Sequence, residues 1–458
     1  MGSTSTLEET LRRAWARRSR DLGLRELLVA LMFLFPLAVY LAKFRYLGST
    51  PGDTYPNELL PISLLRDHHL AMTQWAPDPK HLPHYFVEAK GRVVSTYPIV
   101  PGLLQLPVYG IAYLMGINLV EDTHLLSLIT SSLISALSVV FVYLALRRLL
   151  QSEVASIAFA LIYAFCTAVW SVTSRGIWQH GPSLLFITAS LWLVLSGGRR
   201  RIAASGFLLG MAIWNRPTNA VLVAPLAIYA LWALRGHRAG AAGFLGLGAI
   251  PLLLMSLYSQ AYFGTVTALG QAQGLAGFNG RLLSSLLGVL FSPNRGLLVF
   301  SPVFLPALLY LGYALFARGV PAFHKGLAIS VIAFILLYSK WLVWWGGYCF
   351  GYRLLIEAVP FLIIFLALAW QQVIGRHGWA KVAFAVLVIA SLYVHFLGAY
   401  VYPSGFDQTI GPTSPFARRL TAQVHPERLW VVRDGELVRC TAMLFGLKQN
   451  WASSPPGG

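Results

Sequence analysis

Asp53 and a group of arginines are the residues of this sequence best suited to do chemistry. Asp53 lies in Gly52-Asp53-Thr54-Tyr55, shortly after an apolar stretch. A carboxylate there can take a proton from an attacking hydroxyl group, and the planar guanidinium of arginine binds phosphate. The pattern predicts a reaction between a phosphate-bearing substrate and a hydroxyl. The alternative for Asp53 is a turn residue, because Gly-Asp pairs are common in turns.

The candidate phosphate ligands are cations that interrupt segments rich in aromatic residues and glycine. Three such segments are 174–180 (Ser-Arg-Gly-Ile-Trp-Gln-His), 292–296 (Ser-Pro-Asn-Arg-Gly) and 344–353 (Trp-Trp-Gly-Gly-Tyr-Cys-Phe-Gly-Tyr-Arg). The alternative for each cation is a side chain that snorkels to the membrane surface. The predicted ligands are Arg353, Arg295, Lys340, Arg175 and Arg216.

A second group of residues is expected to contact the transferred group or the acceptor. Glu357 lies about one helical turn after Arg353, so both are expected on one face of a helix. Ionisable residues inside a membrane span tend to be paired and functional, although purely structural pairing stays open. Aromatic belts at the membrane surface are the alternative for the aromatic members. The group consists of His180, Trp344, Trp345, Tyr348, Tyr55 and Glu357.

No cofactor is expected from the sequence, which contains no cluster of His, Cys and Asp with the spacing of a metal site. A divalent ion held by Asp53 and Glu58 stays open. A disulfide between Cys349 and Cys440 also stays open, because both are predicted on the same side of the membrane.

The composition indicates a membrane protein. Of the 458 residues, 57% are hydrophobic and only 11% are charged, which is too few charges to cover a soluble protein of this size. The net charge of +18 is explained without nucleic acid, because many positive charges flank apolar runs as cytoplasmic loops require.

The chain is predicted to be an all-α polytopic membrane protein. Basic segments place the N-terminal residues 1–24 in the cytoplasm and the active site and C-terminus on the periplasmic or extracellular side. The membrane domain covers 25–402, and a C-terminal extension covers 403–458. Eleven spans are predicted, at 25–44, 124–146, 153–171, 182–197, 202–214, 217–234, 242–262, 298–316, 326–344, 354–371 and 382–402.

Two polar regions have predicted structure of their own. The first outer loop, 46–123, contains an apolar segment, Pro101–Ile117, that is interrupted by Pro and Gly and is expected to lie on the outer leaflet. In the extension, residues 430–438 predict a β-hairpin around an Asp-Gly turn.

These features together resemble the GT-C superfamily of membrane glycosyltransferases, which includes the protein O-mannosyltransferases and the aminoarabinose transferase of lipid A. The resemblance rests on an acid after the first span, Tyr97-Pro98, Asn215-Arg216-Pro217, and the segments 290–298 and 344–353. It implies an inverting transfer from a polyprenyl-phosphate sugar, with Asp53 as the base and Arg353 and Arg295 on the phosphate. Unlike several relatives, this chain has no acidic residue after the third span.

The expected partners are therefore a polyprenyl-phosphate-linked sugar, membrane lipids and an acceptor glycan, lipid or protein, in the bacterial inner membrane. Nucleic acid is not expected. The alternatives are a flippase or transporter of lipid-linked glycans, a glycan ligase, and a scaffold without activity. A transporter predicts charges at the bilayer midplane and repeated halves, whereas the charges here lie at the ends of apolar runs.

Overall fold

The computed structural model describes residues 4–42, 52–75, 82–266, 277–347, 349–402, 429–433 and 435–447, with only the helical backbone given for 4–22. Within these ranges the protein is mostly helical. Its α-helices are α1 Thr4–Leu41, α2 Tyr55–Asp67, α3 Val100–Leu104, α4 Leu106–Leu114, α5 Thr123–Leu150, α6 Glu153–Phe165, α7 His180–Ser196, α8 Arg199–Asn215, α9 Asn219–Ala233, α10 Arg238–Phe263, α11 Leu282–Phe291, α12 Leu297–Phe300, α13 Leu305–Phe316, α14 Ala322–Ser339, α15 Val359–Gln372, α16 Gly378–Phe396 and α17 Glu436–Leu444.

Helices lie at each of the eleven predicted spans, and within the described residues six helical segments are long and apolar enough to cross a bilayer. In α10, Ile250, Leu253 and Leu257 are exposed along one face. A stripe of exposed apolar side chains at helical spacing is typical of a helix face that contacts lipid, because exposure of such a stripe to water would be unfavourable. A multi-pass membrane protein is therefore supported, while the count of eleven spans stays a prediction.

Close helix packing depends on glycine where α8 crosses α10. A Cβ atom at Gly210 would lie 2.4 Å from the carbonyl oxygen of Gly248, and one at Gly206 would lie 2.2 Å from that of Phe244. Gly206 and Gly210 have the small-xxx-small spacing that lets membrane helices approach closely. The close packing against α10 therefore fixes the position of α8, from which the turn to α9 begins.

The described part of the predicted first outer loop packs against α5, α7 and α8. The predicted interfacial segment consists of two short helices, α3 and α4, with Gln105 between them. The loop also contains an antiparallel hairpin, β1 Phe86–Ala89 and β2 Arg92–Ser95, which the sequence analysis missed. Lys90 and Gly91 both have positive φ at its turn, as a two-residue hairpin connection requires.

The predicted hairpin at 430–438 is wrong, because the structure has helix α17 from Glu436 onward. Leu437, Cys440 and Met443 recur at helical rather than strand spacing. Cys440 is buried, and Val432, one of the expected strand residues, is exposed. The described part of the extension thus contains a helix, α17, which packs against Leu397–Val401. None of the three cysteines, all of which lie among the described residues, forms a disulfide in the structure.

Candidate active site

Asp53 forms an ion pair with Arg353. The Nη1 atom of Arg353 lies 2.7 Å from Oδ2 of Asp53, and Nε2 of His84 lies 3.1 Å from Oδ1. The Tyr97 hydroxyl lies near enough to this carboxylate to interact with it electrostatically. The side chains of Asp53 and Arg353 retain 21% and 13% of their exposure, so the pair is enclosed but still reaches the surface.

Local backbone structure places both partners of this pair. Asp53 lies in a 3₁₀ turn, Gly52–Thr54, directly before α2, where the helix dipole favours a negative charge. Arg353 begins a 3₁₀ segment, Arg353–Ala358, which continues into α15. Before it lies a loop, described at residues 346–347 and 349–352, in which Gly346, Gly347 and Gly351 all have positive φ. Glycine is favoured at these positions because other residues are strained there.

The electrostatic surroundings keep Asp53 ionised. Burial alone would raise the pKa of its carboxyl group, but the charge of Arg353 and the hydrogen bonds from His84 and Arg353 outweigh burial. The pKa of Asp53 is therefore held well below its ordinary range. Burial raises the pKa of the Tyr97 hydroxyl above its ordinary value, and the neighbouring negative charge of Asp53 adds to the effect. Tyr97 thus stays protonated and can donate to the carboxylate.

Glu357 is the centre of a second group of charges. Its Oε1 atom lies 2.6 Å from Nη1 of Arg216 and 2.8 Å from Nδ1 of His180. The same Nδ1 atom lies 2.8 Å from the Arg216 guanidinium, so it either donates to Glu357 or accepts from Arg216. Glu357 is fully buried, and its Oε2 atom has no hydrogen-bond partner in the described structure. A buried carboxylate oxygen without a partner is costly and marks a position where a ligand donor or a water could bind.

The turn between α8 and α9 is anchored so that Arg216 reaches Glu357. The Nδ2 atom of Asn215 donates to the carbonyl of Gln179 and to the hydroxyl of Ser183, both at 2.7 Å. Asn219 donates to the same hydroxyl at 2.8 Å. These bonds fix the turn against the start of α7, where His180 lies. The Asn-Arg-Pro turn predicted from the sequence is therefore part of the site.

Trp178 lies between the Asp53–Arg353 ion pair and the group of charges around Glu357. The Arg353 guanidinium lies over its ring at 4.4 Å, and the ring of His180 lies 6.1 Å from it. We call Asp53, Arg353, Glu357 and Arg216 the charged cluster. Its two carboxylates and two guanidiniums balance in formal charge. The cluster collects residues from three segments, around Asp53, Arg216 and 353–357, that are predicted at the outer side of the membrane.

The other predicted phosphate ligands have different partners. Arg295 forms an ion pair with Glu436 of α17. Arg175 donates to the carbonyl of Gly398 at 2.9 Å and lies over the ring of Tyr402. Lys340 ends α14 with an exposed side chain. Their contacts thus lie outside the charged cluster.

Three of the predicted aromatic ligands, Trp344, Trp345 and Tyr55, pack against other aromatic rings. The rings of Trp344 and Trp345 pack edge to face, 5.8 Å apart. Tyr55 packs edge to face on Tyr85 at 6.4 Å. Tyr348 lies outside the described residues.

Three contact residues were not among the predicted ligands. Trp178 and Tyr97 belonged to quoted motifs, and a preference of Arg353 for an aromatic face could have indicated Trp178. No sequence feature indicated His84, because it lies in a polar loop without a motif. The fold brings it to Asp53.

A metal site is not evident in the part of the chain that the structure describes, where no three His, Cys, Asp or Glu side chains are arranged to hold an ion. The oxygens of Glu58 instead accept hydrogen bonds from Thr54 at 3.0 Å and His124 at 3.1 Å. Glu58 thus joins α2 to the start of α5.

Comparison with known proteins gives one family match. Residues 107–259 match the family model for dolichyl-phosphate-mannose-protein mannosyltransferase. The match supports a membrane glycosyltransferase of the GT-C type and confirms the resemblance drawn from the sequence motifs. It includes His180 and Arg216 but neither Asp53 nor Arg353. A comparison with curated proteins gives no match.

Proposed function

We propose that the protein is an inverting glycosyltransferase that moves one sugar from a polyprenyl-phosphate donor to an acceptor hydroxyl. The observation that carries the proposal is the 2.7 Å ion pair between Asp53 and Arg353. It places a candidate base and a candidate phosphate ligand within hydrogen-bonding distance of each other. The family match supports sugar transfer from a lipid-phosphate donor.

The proposed reaction uses each member of the charged cluster in a defined way. Arg353, supported by Arg216, binds the donor phosphate. Asp53 removes the proton of the acceptor hydroxyl, and the resulting oxygen attacks the anomeric carbon from the face opposite the phosphate. A new glycosidic C–O bond forms as the bond to the phosphate oxygen breaks. The departing lipid phosphate gains negative charge, which the guanidiniums stabilise.

Charge matching favours a monophosphate donor over a diphosphate donor. The two guanidiniums of the charged cluster already face two carboxylates, so the cluster has no excess of positive charge. A sugar phosphodiester brings one negative charge, and a lipid diphosphate brings two. Arg295 and Arg175 are engaged at other contacts. A ligase or flippase that handles lipid diphosphates would need more free cations than the cluster supplies.

The convergence of the predicted outer segments supports a reaction on the periplasmic or extracellular side. Asp53 follows the first span, His180 precedes the fourth, and Arg216 lies between the fifth and sixth, yet all three belong to one group of contacts. Nucleotide sugars are not expected on that side, so a lipid-linked donor fits the location.

The test is donor consumption by the purified full chain in lipid nanodiscs. A panel of polyprenyl-monophosphate sugars and polyprenyl-diphosphate glycans is incubated with the protein, and the released lipid is identified by mass spectrometry. We expect a monophosphate sugar to be consumed with release of polyprenyl phosphate. Consumption of diphosphate glycans alone would favour a ligase and contradict the proposal.

A further inference from the structure

The C-terminal segment 429–447 is docked onto the segment 292–296. The hydroxyl of Ser292 donates to the carbonyl of Leu429 at 2.7 Å, and Nδ2 of Asn294 donates to that of Val431 at 3.1 Å. The Oδ1 atom of Asn294 accepts from the backbone N–H of Glu436 at 2.9 Å. Asn294 thus fixes the first turn of α17 through both ends of its side-chain amide.

The carboxylate of Glu436 then reaches the loop that carries Arg353. One oxygen binds Nη1 of Arg295, and the other accepts from the backbone N–H of Gly351 at 3.4 Å. Arg295 in turn donates to the carbonyl of Gly347 at 3.3 Å. The two side chains of this ion pair are only 5% and 3% exposed. The pair therefore holds loop 346–352 at two points, one near each end.

This loop needs external support to take a single conformation. Its three glycines with positive φ lose more backbone entropy on ordering than other residues would. Arg353 follows the loop directly, and its guanidinium must reach Asp53. A shift of about 1 Å in a binding group is enough to reduce activity strongly.

We propose that Glu436 and Arg295 form a latch that positions Arg353 for the donor phosphate, and that Arg295 is a positioning residue rather than a phosphate ligand. The role in donor binding rests on the proposed function, whereas the latch geometry does not. Helix α17 thereby contributes to the active site, because its residue Glu436 helps to position Arg353. This role also explains why Arg295 contacts Glu436 and Gly347 instead of Asp53.

The latch is tested first without any donor. Cys349 lies in the latched loop and is buried, so its thiol should react slowly with N-ethylmaleimide in the full chain. Peptide mass spectrometry locates the label among the three native cysteines. We expect Glu436→Gln and Arg295→Gln each to speed labelling of Cys349 at least tenfold. Arg433→Gln, at an exposed position in the same segment, is the matched control and should have no effect.

The second readout is steady-state kinetics with the donor that the panel identifies. Each single variant should raise the donor KM about tenfold and change kcat by less than about threefold. The double variant Glu436→Gln with Arg295→Gln should match the single variants, because the two residues act as one unit. If Arg295 bound the phosphate directly, Glu436→Gln would free it and lower the donor KM, which would overturn the proposal.

Asn294→Ala is a second route to the same test if Glu436→Gln does not fold. It removes the anchor of α17 and leaves both latch charges in place, so it should also expose Cys349. Cys349 protection unchanged in a folded latch or anchor variant would refute the latch. A chain that consumes no donor, but whose variants expose Cys349, would refute the proposed function and keep the latch.

Discussion

The substitution Asp53→Asn removes the proposed base but keeps the size of the side chain and its ability to accept a hydrogen bond. Asparagine has nearly the same size, and its amide oxygen can still accept from Nη1 of Arg353, which now lies 2.7 Å from the carboxylate. The amide cannot take a proton from the acceptor. Loss of a general base reduces turnover about 10²–10⁴-fold, which raises the barrier by about 2.7–5.4 kcal/mol.

The assay follows release of polyprenyl phosphate at saturating acceptor over a range of donor concentrations. We expect kcat to fall by that factor, while the donor KM stays constant or decreases because a competing anion has been removed from Arg353. Asp67→Asn is the matched control: Asp67 lies at the end of α2 and accepts a hydrogen bond from Trp75, outside the charged cluster. Its turnover should stay within about twofold of the wild type.

Two results would refute the reasoning. A folded Asp53→Asn protein with kcat within about threefold of the wild type would exclude Asp53 as the base. A variant with unchanged kcat and a much higher donor KM would show that Asp53 organises donor binding instead. Melting curves of the detergent-solubilised proteins ensure that each variant is compared in its folded form.

Further predictions concern pH, buried charge and packing. Asp53 has a lowered pKa in the folded protein, so its ionised form contributes stability above the unfolded pKa of about 3.9, and that contribution is lost as the pH falls through the folded value. Arg353→Gln should therefore shift the acidic limb of the pH profile of kcat/KM to higher pH. If that limb did not move, Asp53 would not be the group whose titration causes it. Glu357→Gln should lower the free energy of unfolding by about 3 kcal/mol because it leaves a buried guanidinium without its counter-charge; unchanged thermal unfolding would contradict this. Gly210→Ala should cost about 1–3 kcal/mol through overpacking, whereas Gly246→Ala, whose Cβ meets nothing within 4 Å, should cost less than about 1 kcal/mol.

The helices could be predicted because bilayer spans have a simple sequence signal. A run of apolar residues between basic loops indicates both a helix and its orientation, and the turn at Asn215-Arg216-Pro217 lies where the sequence places it. Structure outside the membrane was harder. The hairpin after residue 86 is only four residues per strand, and α17 begins at a Gly-Glu pair that also suits a turn.

The candidate site could be predicted by residue type but not by pairing. Asp53 and Arg353 are 300 positions apart, so only the fold shows that they meet. The sequence gives no reason to rank Arg295 below Arg353 as a phosphate ligand, and the decisive difference is the position of Glu436. Which arginine faces which acid depends on how the loops pack, and single-sequence reasoning does not contain that information.

The ion pair between Asp53 and Arg353 also predicts the order in which the substrates act. While the pair is intact, Arg353 lowers the pKa of Asp53, which makes the carboxylate a weak base. A donor phosphate that binds Arg353 brings a negative charge close to Asp53, and this raises the pKa of the carboxyl group. The base therefore becomes stronger only after the donor has bound. We predict donor-first ordered kinetics, in which an acceptor analogue inhibits uncompetitively against the donor. Competitive inhibition by that analogue would show that the acceptor binds the free enzyme at the donor site, and the coupling between phosphate binding and proton transfer would be wrong.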